Sequence, residues 1–169
     1  MKSLMNDDRD IFNEYAFDRL ELKLYPDAVL REVCDPVEQF GRHMSLLMED
    51  LLRFMRIQGG IGLAGPQVGM LQRLFVAEIL GDPLCLVNPE IRDWTGQSKM
   101  TEGCLSLPGV NVKVSRHKDI DVFGYDPFGN RREYHIGGLW AHVVQHEIDH
   151  LDGILISDYT VRSRQGLAE

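Results

Sequence analysis

His146 and His150 stand four residues apart in the run HEIDH, inside a stretch of sequence that is apolar almost all round. A helix of that composition is buried on most sides. Two buried imidazoles then need polar partners, because an unpaired buried polar group costs on the order of 1–3 kcal/mol. The i, i+4 spacing puts both rings on one helical face, where a single ion satisfies them together. Glu147, beside the first histidine, is placed to act on water at such an ion rather than to ligate it. Any fold of this chain has to bring a third ligand to that helix.

The residues after the helix supply none. In the pattern H-E-x-x-H-x-x-G-x-x-H, Gly153 falls on the glycine, but Ile156 occupies the third histidine position. Asp158 and Glu169 are poor substitutes. Upstream, Cys104 in Glu-Gly-Cys-Leu-Ser is the best candidate, expected in a tight loop between Gly103 and a Leu107-Pro108-Gly109 turn. One thiolate and two neutral imidazoles leave a divalent ion with charge near +1 and one open position. Cys34 and Cys85 read as small packing residues. His142 as a further ligand would stretch the set across about 12 Å of helix, so it is expected as a pocket wall or rim. His43, His117 and His135 are expected in solvent.

The remaining text reads as an α+β fold. Residues 43–56 place Met44, Leu47, Met48, Leu51, Leu52 and Met55 at helical spacing, which predicts an amphipathic helix. A Gly-rich loop over 59–69 follows. Short strands are expected at 73–79 and 84–91, joined by a Gly81-Asp82-Pro83 turn, then near 110–114, 119–125 and 131–136. The HEIDH helix is expected after Gly137-Gly138, ending at Gly153. Short, mostly antiparallel strands thus pack around a buried C-terminal helix. Residues 1–20 form an acidic extension with no visible chemistry, and 21–169 a single catalytic domain.

Net charge bounds the partners. At −8 over 169 residues the chain offers no broad cationic surface, so neither nucleic acid nor an anionic membrane is expected. No run approaches the ~18 apolar residues of a membrane span, and the N-terminus lacks the apolar core of a secretory signal. Three cysteines without a regular pattern suit reduced thiols. A cytoplasmic location is expected.

Three segments together resemble the peptide deformylase family. They are Gly60-Ile61-Gly62-Leu63-Ala64-Gly65-Pro66-Gln67, Glu102 through Ser106, and Gln145 through His150, in the family's order and with similar spacing. The resemblance covers roughly residues 22–160. One departure is visible: Gly65 stands where the family usually has Ala, removing a methyl group and adding backbone freedom beside Gln67.

The resemblance implies hydrolysis of the formyl group from N-formylmethionyl nascent chains, with release of formate. It implies Cys104, His146 and His150 as ligands of one divalent ion, Fe2+ favoured in the cell, with Zn2+, Ni2+ or Co2+ also suited to the donor set. Glu147 is then the base that takes a proton from metal-bound water and passes it to the departing amine. Gln67 and the backbone N–H of Leu105 stabilise the oxyanion. Gly62 and Gly103 allow a substrate strand to approach, and Ile61, Leu139, Val143 and His142 line the methionine pocket. The tail after Tyr159 is too short for the long C-terminal helix with which some members dock on the ribosome, leaving only transient proximity. Two other readings share HEIDH: a zinc endopeptidase, which lacks its downstream ligand, and a structural metal staple, which lacks a fourth protein ligand.

Overall fold

The structure, a computed structural model, describes residues 19–165, with side chains through Thr160. Of the expected N-terminal extension, residues 1–18 lie outside the described part. Helix α1 spans Arg42–Ile57. Its six periodic apolar residues are all buried, Leu51 and Met55 completely. The helix stops where Gly59 takes a positive φ of 74°, a conformation that glycine adopts without steric cost.

The Gly-rich stretch after it is more ordered than the expected loop. It holds a three-residue strand, β1 (Gly62–Ala64), and a 3-10 turn over Gly65–Val68 that ends at Gly69. β2 (Leu74–Ile79) and β3 (Asp82–Cys104) follow. The connection between them differs from the expected Gly81-Asp82-Pro83 turn. Leu80 and Gly81 form it, with φ of 54° and 81°, and Asp82 and Pro83 already pair with β2. Positive φ at both turn residues matches the right-handed twist of the two strands.

β3 and β4 (Leu107–Tyr125) are 23 and 19 residues long, not the short strands expected. The sequence hides this for two reasons. Residues 92–99 are mostly exposed, as an arm of the hairpin standing in solvent, so they show no apolar alternation. Register shifts between Val87 and Glu90, Ile91 and Asp93, and Gly103 and Cys104 also break the period of two. The runs at 110–114 and 119–125 are parts of one strand. β5 (Arg131–Gly137) leads into α2 (Gly138–Leu151), and α3 (Ile156–Gln165) closes the described chain.

The strands form one antiparallel sheet in the order β1-β2-β3-β4-β5. This sheet with few helices is an α+β fold. It separates two apolar clusters, and β2 is buried on both faces. Leu74 and Val76 pack with α1, while Phe75 and Ala77 pack with α2. Successive side chains on a strand point to opposite faces, so the continuous apolar run LFVA serves both helices. A third cluster joins Leu30, Val112 and Val114 to Leu155 and Ile156, seating the end of the described chain on β4. No helix among the described residues is long and apolar enough to cross a membrane.

Gly65 takes a different meaning in this frame. Its φ is not in the left-handed region, so backbone freedom is not what the position requires. Space is: a Cβ there would lie 2.7 Å from the Met70 carbonyl oxygen and 2.8 Å from that of Gln72. Gly65→Ala should destabilise the protein by about 1–3 kcal/mol, the usual range for overpacking. A urea midpoint equal to or above that of the wild type would refute the steric reading.

Candidate metal centre

Two elements that are far apart in sequence meet at the site. α2 presents His146 and His150 from one face, their ring centroids 4.9 Å apart. Opposite them, the β3–β4 hairpin turns at Leu105 and Ser106, with Cys104 as the last residue of β3. The tight turn therefore falls ahead of the expected Leu107-Pro108-Gly109 turn, and those three residues belong to β4. Cys104 Sγ lies 3.2 Å from His150 Nε2. Ligand atoms of Cys104, His146 and His150 all fall within 4.8 Å of one another.

The donor set fits a divalent cation. Tetrahedral coordination by sulfur and nitrogen spaces such atoms about 3.5 Å apart, and a half-buried thiol packed against two imidazoles has little other reason to form. The two rings are electrostatically unequal. Burial disfavours a charge on His146, yet hydrogen bonds to Cys104 and Glu102 carry it up to about 10. Burial and the neighbouring His146 push His150 well below its ordinary value. Bringing a cation among these donors removes the need for a shared proton.

Glu147 is buried beside them, and burial raises its carboxyl to about 7. Its Oε2 has no hydrogen-bond partner among the described residues. Gly62 makes room for it, since a Cβ on that residue would fall 2.1 Å from Glu147 Oε1. The glycine thus answers to the carboxylate first. Gly103 is less constrained, with its nearest neighbour, Asn111 Oδ1, at 3.4 Å from a built Cβ. Gln67 is fixed by its own loop: its Oε1 accepts from the Ala64 N–H at 2.9 Å. That leaves Nε2 to face Ser106 Oγ at 3.2 Å and Cys104 Sγ at 3.6 Å.

These groups sit in a cleft of about 650 Å3. Ile61 and Leu139 stand at its mouth, each nearly half exposed, while Val143 and His142 line its interior. Gly62, Gln67, Gly103, Cys104, Leu105, His146 and Glu147 also border it. His150 lies behind, buried. His142 is an interior wall rather than a rim, since only 2% of it is exposed.

The sequence profile of the polypeptide deformylase family matches residues 20–165. The chain belongs to that family. Among the curated relatives, the peptide deformylase of Hydrogenovibrio crunogenus is 44% identical over 145 residues, covering 84% of this chain and 86% of the relative. The crystal structure of peptide deformylase from Thermotoga maritima superposes with a TM-score of 0.80 at 37% identity, over 83% of this chain and 96% of that one. The enzyme from Thermus thermophilus gives 0.79 at 45% identity, over 82% and 83% of the two chains. This chain is accordingly an enzyme of the deformylase family.

At the wall of the cleft, two of the deformylase-family motifs, Glu102 through Ser106 and Gln145 through His150, are tied together by residues to which the sequence alone assigned no role. Glu102 accepts from His142 Nδ1 at 2.9 Å and from His146 Nδ1 at 3.0 Å. Arg116 donates to both oxygens of the same carboxylate, at 2.6 and 2.9 Å, and to Asp149 at 2.8 Å. Burial alone would raise the Glu102 carboxyl, but the bonds from His146 and Arg116 hold it at about 2. Gln145 pairs with the backbone of His117 through both ends of its amide, fastening α2 to β4.

One signal for Arg116 was available. It continues the period of two set by Val112 and Val114, both buried, and a charge on a buried face requires partners. The remaining histidines and cysteines lie away from the centre. His135 is exposed against Asp121, His117 stacks on Trp94, and burial pushes the thiols of Cys34 and Cys85 up to about 11. Arg116→Met should lower stability by about 3–5 kcal/mol, because it leaves the nearly buried Glu102 and the part-buried Asp149 without their cation. A denaturation curve within 1 kcal/mol of the wild type, taking about that as the limit of the method, would show that the cluster is not closed as described.

Proposed function

We propose that this enzyme removes the N-formyl group from the N-terminal formylmethionine of newly made polypeptides and releases formate. The observation that carries the reading is the convergence of Cys104, His146 and His150 beside the buried carboxylate of Glu147, at the base of an apolar cleft. The three ligands hold one divalent cation, Fe2+ in the cell, although Zn2+, Ni2+ and Co2+ suit the same donors. When bound, that cation supplies a Lewis acid that makes water nucleophilic near neutral pH.

The chain's own residues do the rest. Glu147 takes the proton of the attacking water and returns it to the departing amine. The Ala64 N–H turns the Gln67 amide so that its N–H groups face the cysteine side of the cleft. With the Leu105 N–H it stabilises the oxygen that becomes negative on the formyl carbon, each donor contributing about 3 kcal/mol in the transition state. Val143 and His142 inside, with Ile61 and Leu139 at the mouth, enclose the methionine side chain. Gly62 and Gly103 leave the backbone open to an extended peptide.

Residues 21–169 act as one catalytic domain, with 1–20 as an extension. The substrate is presented as nascent chains leave the ribosome, so the enzyme works in the cytoplasm in transient proximity to it. Two variants test the roles together under anaerobic conditions with iron-loaded protein and a formyl-Met peptide. Glu147→Gln should keep its metal and lose formate release by about 10²–10⁴-fold, whereas Cys104→Ala should lose the metal itself. Formate release by Glu147→Gln at the wild-type rate would refute the mechanism. Its absence from metal-replete wild-type protein would refute the activity.

A further inference from the structure

The short helix α3 carries a side chain that reaches the buried cluster under the metal ligands. Tyr159 donates its hydroxyl hydrogen to Asp149 Oδ2 at 2.7 Å and accepts from Arg116 Nη1 at 3.2 Å. Its ring lies against the guanidinium, with Arg116 Cζ 5.1 Å from the centroid. Burial raises the phenol to about 12, so the hydroxyl keeps its proton. Arg116 in turn grips Glu102, and Glu102 accepts from His146 Nδ1. An unbroken path of polar contacts therefore runs from α3 to a proposed ligand, through groups with little freedom to rearrange.

We propose that Tyr159 is a positioning residue for the metal centre, acting through Arg116 and Glu102 on the orientation of His146. The proposal rests on the reading that Cys104, His146 and His150 hold a cation. The physical argument concerns the guanidinium, which shares its donors among Glu102, Asp149 and the phenol oxygen. Tyr159 shares Nη1 of Arg116 with Asp149, while Glu102 takes Nε and Nη2, and it holds Asp149, which lies on the same helix as both histidines. Without the hydroxyl, Asp149 competes more strongly for the guanidinium, and the two-oxygen grip on Glu102 loosens. Partners of ligating histidines fix ring orientation and basicity, and losing one typically costs about 10–100-fold in metal affinity. Tyr159 stands one contact further out, and a smaller effect follows.

The same helix is also docked by a contact that does not touch the cluster. Arg31 forms a two-bond pair with Asp158 at 2.6 and 2.9 Å. That pair separates a positioning role from the general seating of α3. The test uses full-length protein loaded with Co2+, whose visible and near-ultraviolet absorption reports ligand geometry and the thiolate bond. Three readouts are taken: that spectrum, Co2+ affinity by chelator competition, and kcat against KM for a formyl-Met peptide.

Tyr159→Phe should alter the Co2+ spectrum, weaken affinity by about 3–10-fold, below the range for direct partners, and lower kcat with KM unchanged. Arg31→Gln should lower the thermal midpoint while leaving spectrum and affinity as in the wild type. An unchanged spectrum and affinity in Tyr159→Phe would overturn the proposal, as would an equal change in Arg31→Gln. If Tyr159→Phe does not fold, Asp149→Asn removes the charge that competes for Arg116 and should leave spectrum and affinity as in the wild type; a weakening as large as that expected for Tyr159→Phe would overturn the proposal. Failure of the wild type to take up one Co2+ per chain would overturn the metal reading itself, an outcome distinct from silence in the variant alone.

Discussion

The structure around the cleft depends on one buried cation. Arg116 has little exposed surface, and its guanidinium is shared by Glu102 on β3, Asp149 on α2 and Tyr159 on α3. An arginine fork satisfies a carboxylate through two parallel bonds, which holds Glu102 ionised despite its burial. An ionised Glu102 can then accept from His142 and His146 together. The hairpin that carries Cys104 and the helix that carries both histidines are thereby fixed to each other by charge, in a region where apolar packing alone has no directional preference.

Such an arrangement favours specificity over stability. Desolvating an ion cluster is costly, and a well-packed apolar replacement is often as stable. What the cluster supplies is orientation. His146 is left with Nδ1 engaged by Glu102, so its other nitrogen is turned toward Cys104. Preorganisation of this kind is the condition for placing a charge-stabilising site in a low-dielectric cleft. The loop at 60–67 contributes by close approach. At Gly62 a methyl group would displace the Glu147 carboxylate, and at Gly65 it would strike two carbonyl oxygens.

Legibility in the sequence followed periodicity and burial. α1 and α2 were readable because one apolar stripe or an almost wholly apolar circumference leaves few alternatives. The grouping of Cys104 with His146 and His150 was readable because a missing downstream donor left Cys104 as the best remaining candidate. The length of β3 and β4 was not, since the solvent-facing arm of a hairpin carries no alternation and bulges shift its register. The position of the β2–β3 turn was misjudged by a residue because Leu80, an apolar residue, adopts a positive φ normally associated with Gly or Asn. Glu102 was visible in a motif yet had no assigned role, as its partners Arg116 and Asp149 lie on elements whose meeting no local pattern reveals.

The chain's own text determined its chemical vocabulary: a thiol, two imidazoles at helical spacing, a carboxylate between them, and loops whose glycines permit close contact. These follow from side-chain chemistry and from the fixed periods of helix and strand, which are local properties. The tertiary structure decided which charges share a guanidinium, which nitrogen of His146 is engaged, and that a tyrosine near the end of the chain touches the same cluster. Those depend on long-range juxtaposition, where the gain from pairing buried charges appears only after the sheet and both helices have closed around them.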